Sequence, residues 1–535
     1  MVLAKSFKVS AVAIALILAG CGGDINITPT VNDNSTNNSN NTNNNGSDNG
    51  GSDNGGSDTN ICASYESGDD TVQGTYDSNT NICTYNTSFV SAANPLVADI
   101  TLDGEAIHYF KSSLFVGEDC NTSEGCTINA DGPTLTVEAG ATVVFDNAAS
   151  RVQINRGANI EAVGTLDHPI TFTSANAIEE LDSVGGGPSP QDWGGIMIDG
   201  FGITDQCSDA ERAAATCNAE SEGAVSYYGG NDNTDNSGTL KFVKIDYAGG
   251  LPAGAEVGND LNSLFLNAVG SGTSIDYISI YAGYDDGIEL FGGAVNLKHL
   301  VITDTQDDSL DIDAGWQGNA QYVLIKHGSV VSANGDILNM GNGGFEADGK
   351  KGDTTAEAPA SAPHIANVTV ITTDNISARD EDPSIAIKLD DFIGATWYNT
   401  ILKKESATQT WCINYTGDAA DNVVTNTVSI KTSIAACAAI SNADSETVTT
   451  DSGTTTVTTW FTQDGVSEVV NGSETVLAEN GFSTSPEVSI TPTDMTTIDA
   501  DFFEATSFIG AVDPADTTSD WYKWASAAFE SANDE

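Results

Sequence analysis

Basic residues are scarce in this chain of 535 residues. Only 18 Lys and Arg stand against 76 Asp and Glu, so the formal net charge is −58. Proteins that bind nucleic acid need a basic face for its phosphates, and this composition excludes such a partner. Most of the carboxylates will be solvated at the surface. Hard oxygen ligands in this number also suit divalent cations.

Three further features are missing from the sequence. After the N-terminal segment no run of about 18 apolar residues occurs, so we predict no membrane-spanning helix there. The five histidines are scattered and no Cys-x-x-Cys is present, which argues against a zinc site. Helical periodicity is nearly absent from residue 134 onward until the C-terminal segment. These absences leave an acidic, mainly β protein.

The N-terminus is typical of an export signal. Lys5 and Lys8 precede the short apolar run "VSAVAIALILAG". The run ends in Leu18-Ala19-Gly20-Cys21, which resembles a bacterial lipobox. This resemblance implies cleavage before Cys21, acylation of that residue and stable attachment to a membrane. No Asp follows Cys21 directly, which in enterobacterial-type sorting implies the outer membrane.

The segments on either side of Cys21 have different predicted roles. Residues 1–20 are the expected signal peptide. Residues 21–60, rich in Asn, Gly, Ser and Asp, are the expected disordered tether beyond the lipid. We therefore expect a lipid-anchored protein at the outer membrane, displayed on the surface of a Gram-negative cell.

Eight cysteines follow Cys21, and an even number in an exported protein predicts disulfides. Neighbours in sequence are the favoured partners, although the sequence alone leaves the connectivity open. The expected pairs are Cys62–Cys83, Cys120–Cys126, Cys207–Cys217 and Cys412–Cys437.

Short strands recur at a regular interval in the middle of the chain. "GTSIDYISIYAGYDD" is followed by "AVNLKHLVITDTQDD", and Ile278 and Leu300 are 22 positions apart. A period of this length made of strands and turns predicts a solenoid of stacked coils. Equivalent side chains then lie about 4.8 Å apart. In "SLDID", Leu310 and Ile312 should face the interior.

Longer stretches carry a family resemblance. "LTVEAGA" and "GANIEAVGTLDHPITFTS" resemble the opening coils of right-handed parallel β-helix proteins of the pectate-lyase-like superfamily. The run through "DDGIELFGGAVNLKHLVITDTQDDSLDIDAGWQG" and "GNGGFEADG" is similar to a family of bacterial surface lipoproteins with this fold. The resemblance covers residues 134–400 and 500–530. It implies the fold but no established reaction.

The expected fold is thus all-β, a right-handed parallel β-helix with added caps. Residues 61–133 should form a disulfide-bearing N-terminal cap, and residues 134–440 the β-helix. Residues 441–535 should form hairpins and a short terminal helix. That helix should begin after Ser519 or Asp520 and bury one face, formed by Trp521, Trp524, Ala525 and Ala528.

Carboxylates recur with the coils. The pairs Asp285–Asp286 and Asp307–Asp308 are 22 positions apart, and "NGDILNM" aligns Asp336 with Asp308. The expected outward columns are Asp286–Asp308–Asp336 and Glu289–Asp311–Asn339. Stacked carboxylates repel unless a cation lies between them, and Ca²⁺ prefers such oxygens. We therefore predict a calcium site at Asp286, Asp308, Asp311 and Asp336, while local turn chemistry and catalysis stay open.

The catalytic interpretation depends on another resemblance. "QDDSLDID" resembles the Asp-Asp segment of polygalacturonase-type β-helix hydrolases. It makes Asp307, Asp308 and His327 candidate catalytic residues. Lys326 precedes His327 where that family has Gly, and no Arg-x-Lys pattern follows. A lyase would instead need a base such as Lys326, Lys388 or Arg379.

Glycan binding is the interpretation that we favour. Tyr284 and Trp316 lie at predicted coil turns, where aromatic rings could face sugars, and Glu289 could bind their hydroxyl groups. The protein would then bind a polysaccharide or a surface protein, with calcium as its cofactor. The alternatives are a polysaccharide hydrolase or lyase and a structural adhesin or spacer.

The lipid anchor can be tested with one substitution. Cys21→Ser removes the thiol that receives the acyl chains, so the variant should move from membranes to the soluble fraction. The measurement is cell fractionation followed by immunoblotting. A Ser variant that sediments with membranes like the wild type would contradict the anchor.

Overall fold

The computed structural model describes residues 60–223, 226–251, 260–350, 358–379, 383–404, 411–415, 428–443, 446–450, 453–463, 468–470 and 475–534. The predicted signal peptide, Cys21 and nearly all of the tether lie outside the described residues. Among the helices of these ranges, none combines the length and apolar character needed to cross a membrane.

The N-terminal region is built from seven short strands. They are β1 (Ser64–Ser67), β2 (Asp70–Gln73), β3 (Thr75–Asp77), β4 (Ile82–Tyr85), β5 (Ile100–Leu102), β6 (Ile107–Phe110) and β7 (Leu114–Val116). β1 pairs with β2 and β3 with β4 in antiparallel hairpins, whereas β4 pairs with β6 in parallel. Parallel stacking therefore begins before residue 134, the predicted start of the β-helix. The polar loop with Cys120 interrupts the repeat, but β5 and β6 pair in parallel with β8 (Thr134–Val137) and β9 (Thr142–Phe145) beyond it.

The middle of the chain forms long strands that alternate with short ones. They are β8 (Thr134–Val137), β9 (Thr142–Phe145), β10 (Val152–Ile154), β11 (Asn159–Val163), β12 (Ile170–Ser174), β13 (Ile196–Asp199), β14 (Ala219–Glu220), β15 (Tyr227–Tyr228), β16 (Gly238–Asp246), β17 (Leu264–Asn267), β18 (Ser274–Tyr281), β19 (Ile288–Phe291), β20 (Asn296–Thr303), β21 (Leu310–Asp313) and β22 (Asn319–Lys326). Helix α1 (Asp209–Ala214) lies between β13 and β14.

The C-terminal part continues the coils and adds hairpins and helices. Its strands are β23 (Ser329–Val331), β24 (Ile337–Asn339), β25 (Gly343–Asp348), β26 (His364–Thr372), β27 (Ile385–Asp390), β28 (Thr396–Lys404), β29 (Trp411–Tyr415), β30 (Ser429–Lys431), β31 (Ile434–Ala436), β32 (Ala439–Ser441), β33 (Thr447–Thr450), β34 (Gly453–Thr456) and β35 (Glu468–Val470). The helices are α2 (Val457–Gln463) and α3 (Asp520–Asp534). Short 3₁₀ turns span Thr122–Glu124, Ala175–Ala177 and Met495–Thr497.

One sheet consists of ten short strands in the order β32-β29-β27-β25-β21-β19-β17-β13-β10-β7. Every pairing in it is parallel and in register, which places Ile288 beside Leu310 and Leu310 beside Phe345. These residues and Ile312 are fully buried. The predicted parallel β-helix is therefore confirmed, with the inward column that "SLDID" indicated.

The long strands belong to a second sheet and turn a corner within their length. Phe242, Tyr277, His299 and Tyr322 have φ values of 51°, 55°, 54° and 64°. Such φ is uncommon outside glycine. Pairing skips these positions, since Lys241 pairs with Asp276 and Val243 with Ile278. Their rings stack at 4.2 Å, 4.3 Å and 4.9 Å between successive centroids. The corner is thus a column of rings.

All four predicted disulfides are present. In chain order, the paired cysteines are 21, 6, 10 and 25 positions apart. Each disulfide therefore closes a local loop. Short covalent loops of this kind restrict the unfolded chain. They lie at both ends of the coils and in the loop that carries α1.

Helix α3 covers the aromatic corner. Its predicted buried face is confirmed, because Trp521, Trp524, Ala525 and Ala528 are all buried. The hydroxyl of Ser519 accepts a hydrogen bond from the Tyr522 amide at 3.1 Å, which identifies Ser519 as the N-cap. The predicted hairpin is present as β33 and β34, and α2 was not predicted.

Removing the Trp524 ring should weaken this corner. The ring is 3% exposed and meets Phe242 edge-on at 5.5 Å. Trp524→Ala should lower the free energy of unfolding by about 3–5 kcal/mol. Guanidinium titration gives the measurement. Lys523→Ala on the exposed side of the same helix is the control, with an effect within about 0.5 kcal/mol. Equal midpoints for the two variants would contradict the packing described here.

Candidate functional site

The outward face of the ten-stranded sheet changes character along its length. One column runs through Met197, Phe265, Glu289, Asp311 and Glu346 in adjacent strands. The segment that carries α1 packs over the apolar members of this face through the Cys207–Cys217 disulfide, Ala219 and Tyr228. The column becomes acidic next to this covering segment. A cleft forms there.

This acidic cleft has a volume of ≈ 220 Å³. Carboxylates line it, together with Asn262 and the guanidinium of Arg379. They are Glu222, Asp260, Asp285, Asp286, Glu289, Asp307, Asp308, Asp311, Asp313, Glu346 and Asp348. The in-register pairing explains the concentration, since carboxylates at equivalent positions of successive coils must lie close together.

Part of the acidic repeat has a structural role in the turns. The amide of Asp286 donates to Asn262 Oδ1 at 3.0 Å, and the amide of Asp308 donates to Asp286 Oδ1 at 3.0 Å. Each side chain thus holds the backbone of the next coil. This hydrogen bond between coils, rather than a local turn, accounts for one oxygen of Asp286, and it leaves the crowding of the other carboxylates unexplained.

Two groups of carboxylates converge closely enough to hold a cation. One contains Asp285, Asp286 and Asp307, and the other contains Asp286, Glu289 and Asp311. Within each group, one oxygen of every residue lies within 4.8 Å of the others. Clustered carboxylate oxygens are the ligands that Ca²⁺ prefers. Asp286 is common to both groups.

Two basic side chains enter the cleft from later coils. The guanidinium of Arg379 donates to Asp285 and Asp307 and lies 3.2 Å from Asp260 Oδ2. Lys388 follows Glu346 in the outward column. Its Nζ lies 3.1 Å from Asp308 Oδ2 and 3.0 Å from Glu346 Oε2.

The cleft favours protonated carboxyl groups. Burial, followed by repulsion from Asp285 and Asp307, raises the pKa of Asp286 well above its usual range. Burial and the neighbouring Glu289 and Asp286 do the same to the pKa of Asp311. The pKa of Asp308 is also raised by burial, although Lys388 opposes the shift. Burial raises the pKa of Asp348 to about 8.

Some carboxylate oxygens of the cleft lack a hydrogen-bond donor in the described part of the chain. They are Oδ1 of Asp308, Asp311 and Asp348. Asp308 is only 3% exposed. Leaving a buried acceptor without a partner costs about 1–3 kcal/mol. A proton or a bound cation at these oxygens would remove that cost.

The predicted position of Asp336 in the ladder is wrong. Asp336 is exposed in the turn between β23 and β24, which pair with each other as a hairpin. The strand that stacks on β21 is β25, so Glu346 lies next to Asp311. The hairpin lengthens this coil. The alignment of Asp336 with Asp308, 28 positions earlier, therefore stopped one strand before β25.

His327 and Trp316 do not reach the cleft either. His327 is fully buried, with Nε2 3.2 Å from Ser309 Oγ and Nδ1 2.7 Å from Ser384 Oγ. Burial lowers its pKa to about 3, so it is a neutral imidazole with a structural role. Trp316 is fully buried, and its Nε1 donates to the Val295 carbonyl at 3.0 Å. It packs in the core and is not available to a sugar.

The other candidates lie where the sequence placed them. Asp286, Glu289, Asp307, Asp308 and Asp311 all line the cleft. Tyr284 lies beside it, with its ring centroid 5.4 Å from the Arg379 guanidinium carbon.

Several residues of the cleft were missed by the sequence analysis. They are Glu222, Asp260, Asn262, Asp313, Glu346 and Asp348. A signal was present for Glu346, because Phe345-Glu346-Ala347 in "GGFEADG" repeats the apolar–acidic–apolar pattern of Ile288-Glu289-Leu290. Asp260 does not lie in such an apolar–acidic–apolar repeat, so its sequence context did not indicate a site.

The stacked parallel coils and the cleft on their outer face define a parallel β-helix protein. The chain belongs to the family described as pectate-lyase like beta helix domain, whose model matches residues 111–482. No curated protein and no solved structure matches the chain.

The raised pKa of Asp311 predicts a pH-dependent cost. The folded protein keeps this proton at pH values where the unfolded chain, with a pKa of about 3.9, has lost it. Stability is therefore lost as pH rises above about 4. In chelator, Asp311→Asn should melt at the wild-type temperature near pH 4 and several degrees higher at pH 8. Differential scanning calorimetry measures this, with the exposed Asp336→Asn as control. A difference that does not grow with pH would contradict the assignment.

Proposed function

We propose that this is an exported, lipid-anchored β-helix protein that binds a glycan at the acidic cleft through a divalent cation. One observation carries the proposal. Carboxylate oxygens of Asp286, Glu289 and Asp311 converge within 4.8 Å, and Oδ1 of Asp311 and Oδ1 of the neighbouring Asp308 are buried without a donor in the described part of the chain.

The charge of the cleft supports a cation. Eleven carboxylates line the cleft. In the described part of the chain, Arg379 and Lys388 are the only basic residues that form salt bridges with them. Like charges at this spacing repel unless protons or cations intervene. Asp286, Glu289 and Asp311 are the residues that would hold Ca²⁺, with Asp308 beside them. Ca²⁺ takes six to eight oxygen ligands, so sites remain for water or a ligand.

A glycan suits the remaining chemistry of the cleft. Sugar hydroxyl and carboxylate groups are hard oxygen ligands that can complete the coordination of Ca²⁺. A polyanionic glycan would be repelled by the bare carboxylates and would need the cation as a bridge. Tyr284 offers an aromatic ring at the edge of the cleft. The lipobox-like N-terminus would place this surface outside the cell.

Glycoside hydrolysis is the second candidate function. Such chemistry needs one protonated and one ionised carboxyl group on either side of the scissile bond. The raised pKa of Asp308 provides the acid form, and the neighbouring Asp307 is the partner carboxylate. The fold family is compatible with a polysaccharide-related role of either kind.

Calcium titration tests the cation. Isothermal titration calorimetry should show Ca²⁺ binding to the wild type and to Asp336→Asn, and loss of binding in Asp311→Asn. Binding to the folded state alone stabilises it by about 2.7 kcal/mol at a hundredfold excess over Kd. The melting temperature of the wild type should therefore rise with Ca²⁺. Equal melting with and without chelator would contradict the cation.

Polysaccharide assays separate the two candidate functions. A binding protein should retain acidic polysaccharides on immobilised wild type in Ca²⁺, release them in chelator and leave their length unchanged. A hydrolase should produce new reducing ends, and Asp308→Asn should reduce that rate by at least a hundredfold. Neither retention nor cleavage across acidic and neutral polymers would contradict the glycan.

A further inference from the structure

We infer that the acidic cleft contains two adjoining cation seats and that the side chain of Arg379 permanently occupies one of them. The native protein would then take one divalent cation, at Asp286, Glu289 and Asp311. Loss of the guanidinium would open a second metal seat at Asp285, Asp286 and Asp307. This inference rests on the proposed function, since it specifies the number and place of the cations.

The two seats share one residue. Each is a group of three carboxylates whose oxygens lie within 4.8 Å of one another, and Asp286 belongs to both. Asp286 has two carboxylate oxygens with two lone pairs each, so it could contribute a ligand to each of two cations while Oδ1 also accepts the Asp308 amide. By its ligands alone, the cleft therefore resembles a site for two metal ions.

The first seat already holds a positive charge from the protein. The guanidinium of Arg379 contacts both Asp285 and Asp307, and its other terminal nitrogen lies 3.2 Å from Asp260 Oδ2. The side chain of Arg379 is 9% exposed and that of Asp260 is 3% exposed. Burial alone would lower the pKa of Arg379, but Asp285 and Asp307 raise it, so the guanidinium stays charged.

The backbone that carries Arg379 is attached to the coils. The Arg379 amide donates to Ser377 Oγ at 3.3 Å, and the Ser377 hydroxyl donates to the Gln306 carbonyl. The amide of Ala378 donates to the Asn339 carbonyl at 3.0 Å. The guanidinium is thus held at a fixed position, where it competes with a metal ion as a tethered cation.

The second seat shows an independent sign of a ligand. In the described part of the chain no salt bridge reaches Asp286 or Asp311, and Asp311 Oδ1 is buried without a donor. Asp308 also lines the cleft and is only 3% exposed. Its Oδ1 has no hydrogen-bond partner in the described part of the chain. Its backbone is fixed next to this seat by the hydrogen bond to Asp286. Each of these oxygens is a buried acceptor lining the cleft, and a cation bound in the cleft would offset the cost of leaving it without a donor.

Lys388 offers a matched comparison. It also enters the cleft as a cation, but its partners are Asp308 and Glu346, at 3.1 Å and 3.0 Å. Those two residues do not form a converging group of three with any other ligand among the residues that were described. Removing Lys388 should therefore remove a charge without creating a metal seat.

The test counts bound metal ions. Wild type, Arg379→Met and Lys388→Met are freed of metal, dialysed against the same saturating Ca²⁺ at pH 7.5, and analysed for calcium per chain. We expect one ion in the wild type, two in Arg379→Met and one in Lys388→Met. Adding Asp307→Asn to Arg379→Met should return the count to one. Circular dichroism and gel filtration confirm the fold of each variant.

The other outcomes distinguish the role of Arg379 from the calcium site itself. One ion in both wild type and Arg379→Met, or two ions in the wild type, would overturn the assignment of Arg379 and leave the calcium site standing. No ion in the wild type would overturn both. If Arg379→Met does not fold, Asp307→Asn in the otherwise native chain decides: one ion is expected, and loss of the ion would place the metal in the first seat.

Discussion

The in-register parallel pairing of each coil with the next determines the rest of the structure. It places Ile288, Leu310 and Phe345 in one inward column and thereby builds the core. The same register forces Glu289, Asp311 and Glu346 into one outward column. The sheet cannot separate these charges without losing the pairing of its buried side chains. Stability of the coils and crowding of the carboxylates therefore have one cause.

The protein balances this crowding in three ways. Turn amides use the Asp286 oxygen, Arg379 and Lys388 supply positive charge, and the raised pKa values of Asp308 and Asp311 favour bound protons. None of these supplies a donor to Asp311 Oδ1 within the described part of the chain. The cleft therefore folds with its carboxylates only partly neutralised.

The sequence predicted the features that depend on short-range repetition. The interval between Ile278 and Leu300, the inward Leu310 and Ile312, the four local disulfides and the buried face of α3 were all predicted. Asp336 was misplaced because a hairpin of irregular length interrupts the repeat. The corners could not be predicted, since left-handed residues such as Phe242 and His299 carry no pattern of their own. Trp316 and His327 show that a residue near a turn can still face inward.

The contact between Arg379 and Asp260 joins residues 119 positions apart. A solenoid can stack coil by coil as its chain is delivered, because each coil needs only its neighbour. Asp260, Asp285 and Asp307 therefore come together two coils before their guanidinium arrives. The order of synthesis thus separates the assembly of the scaffold from the neutralisation of its cleft. While the chain is incomplete, this cleft would carry its highest local negative charge, and ions of the surrounding medium would be its first counterions.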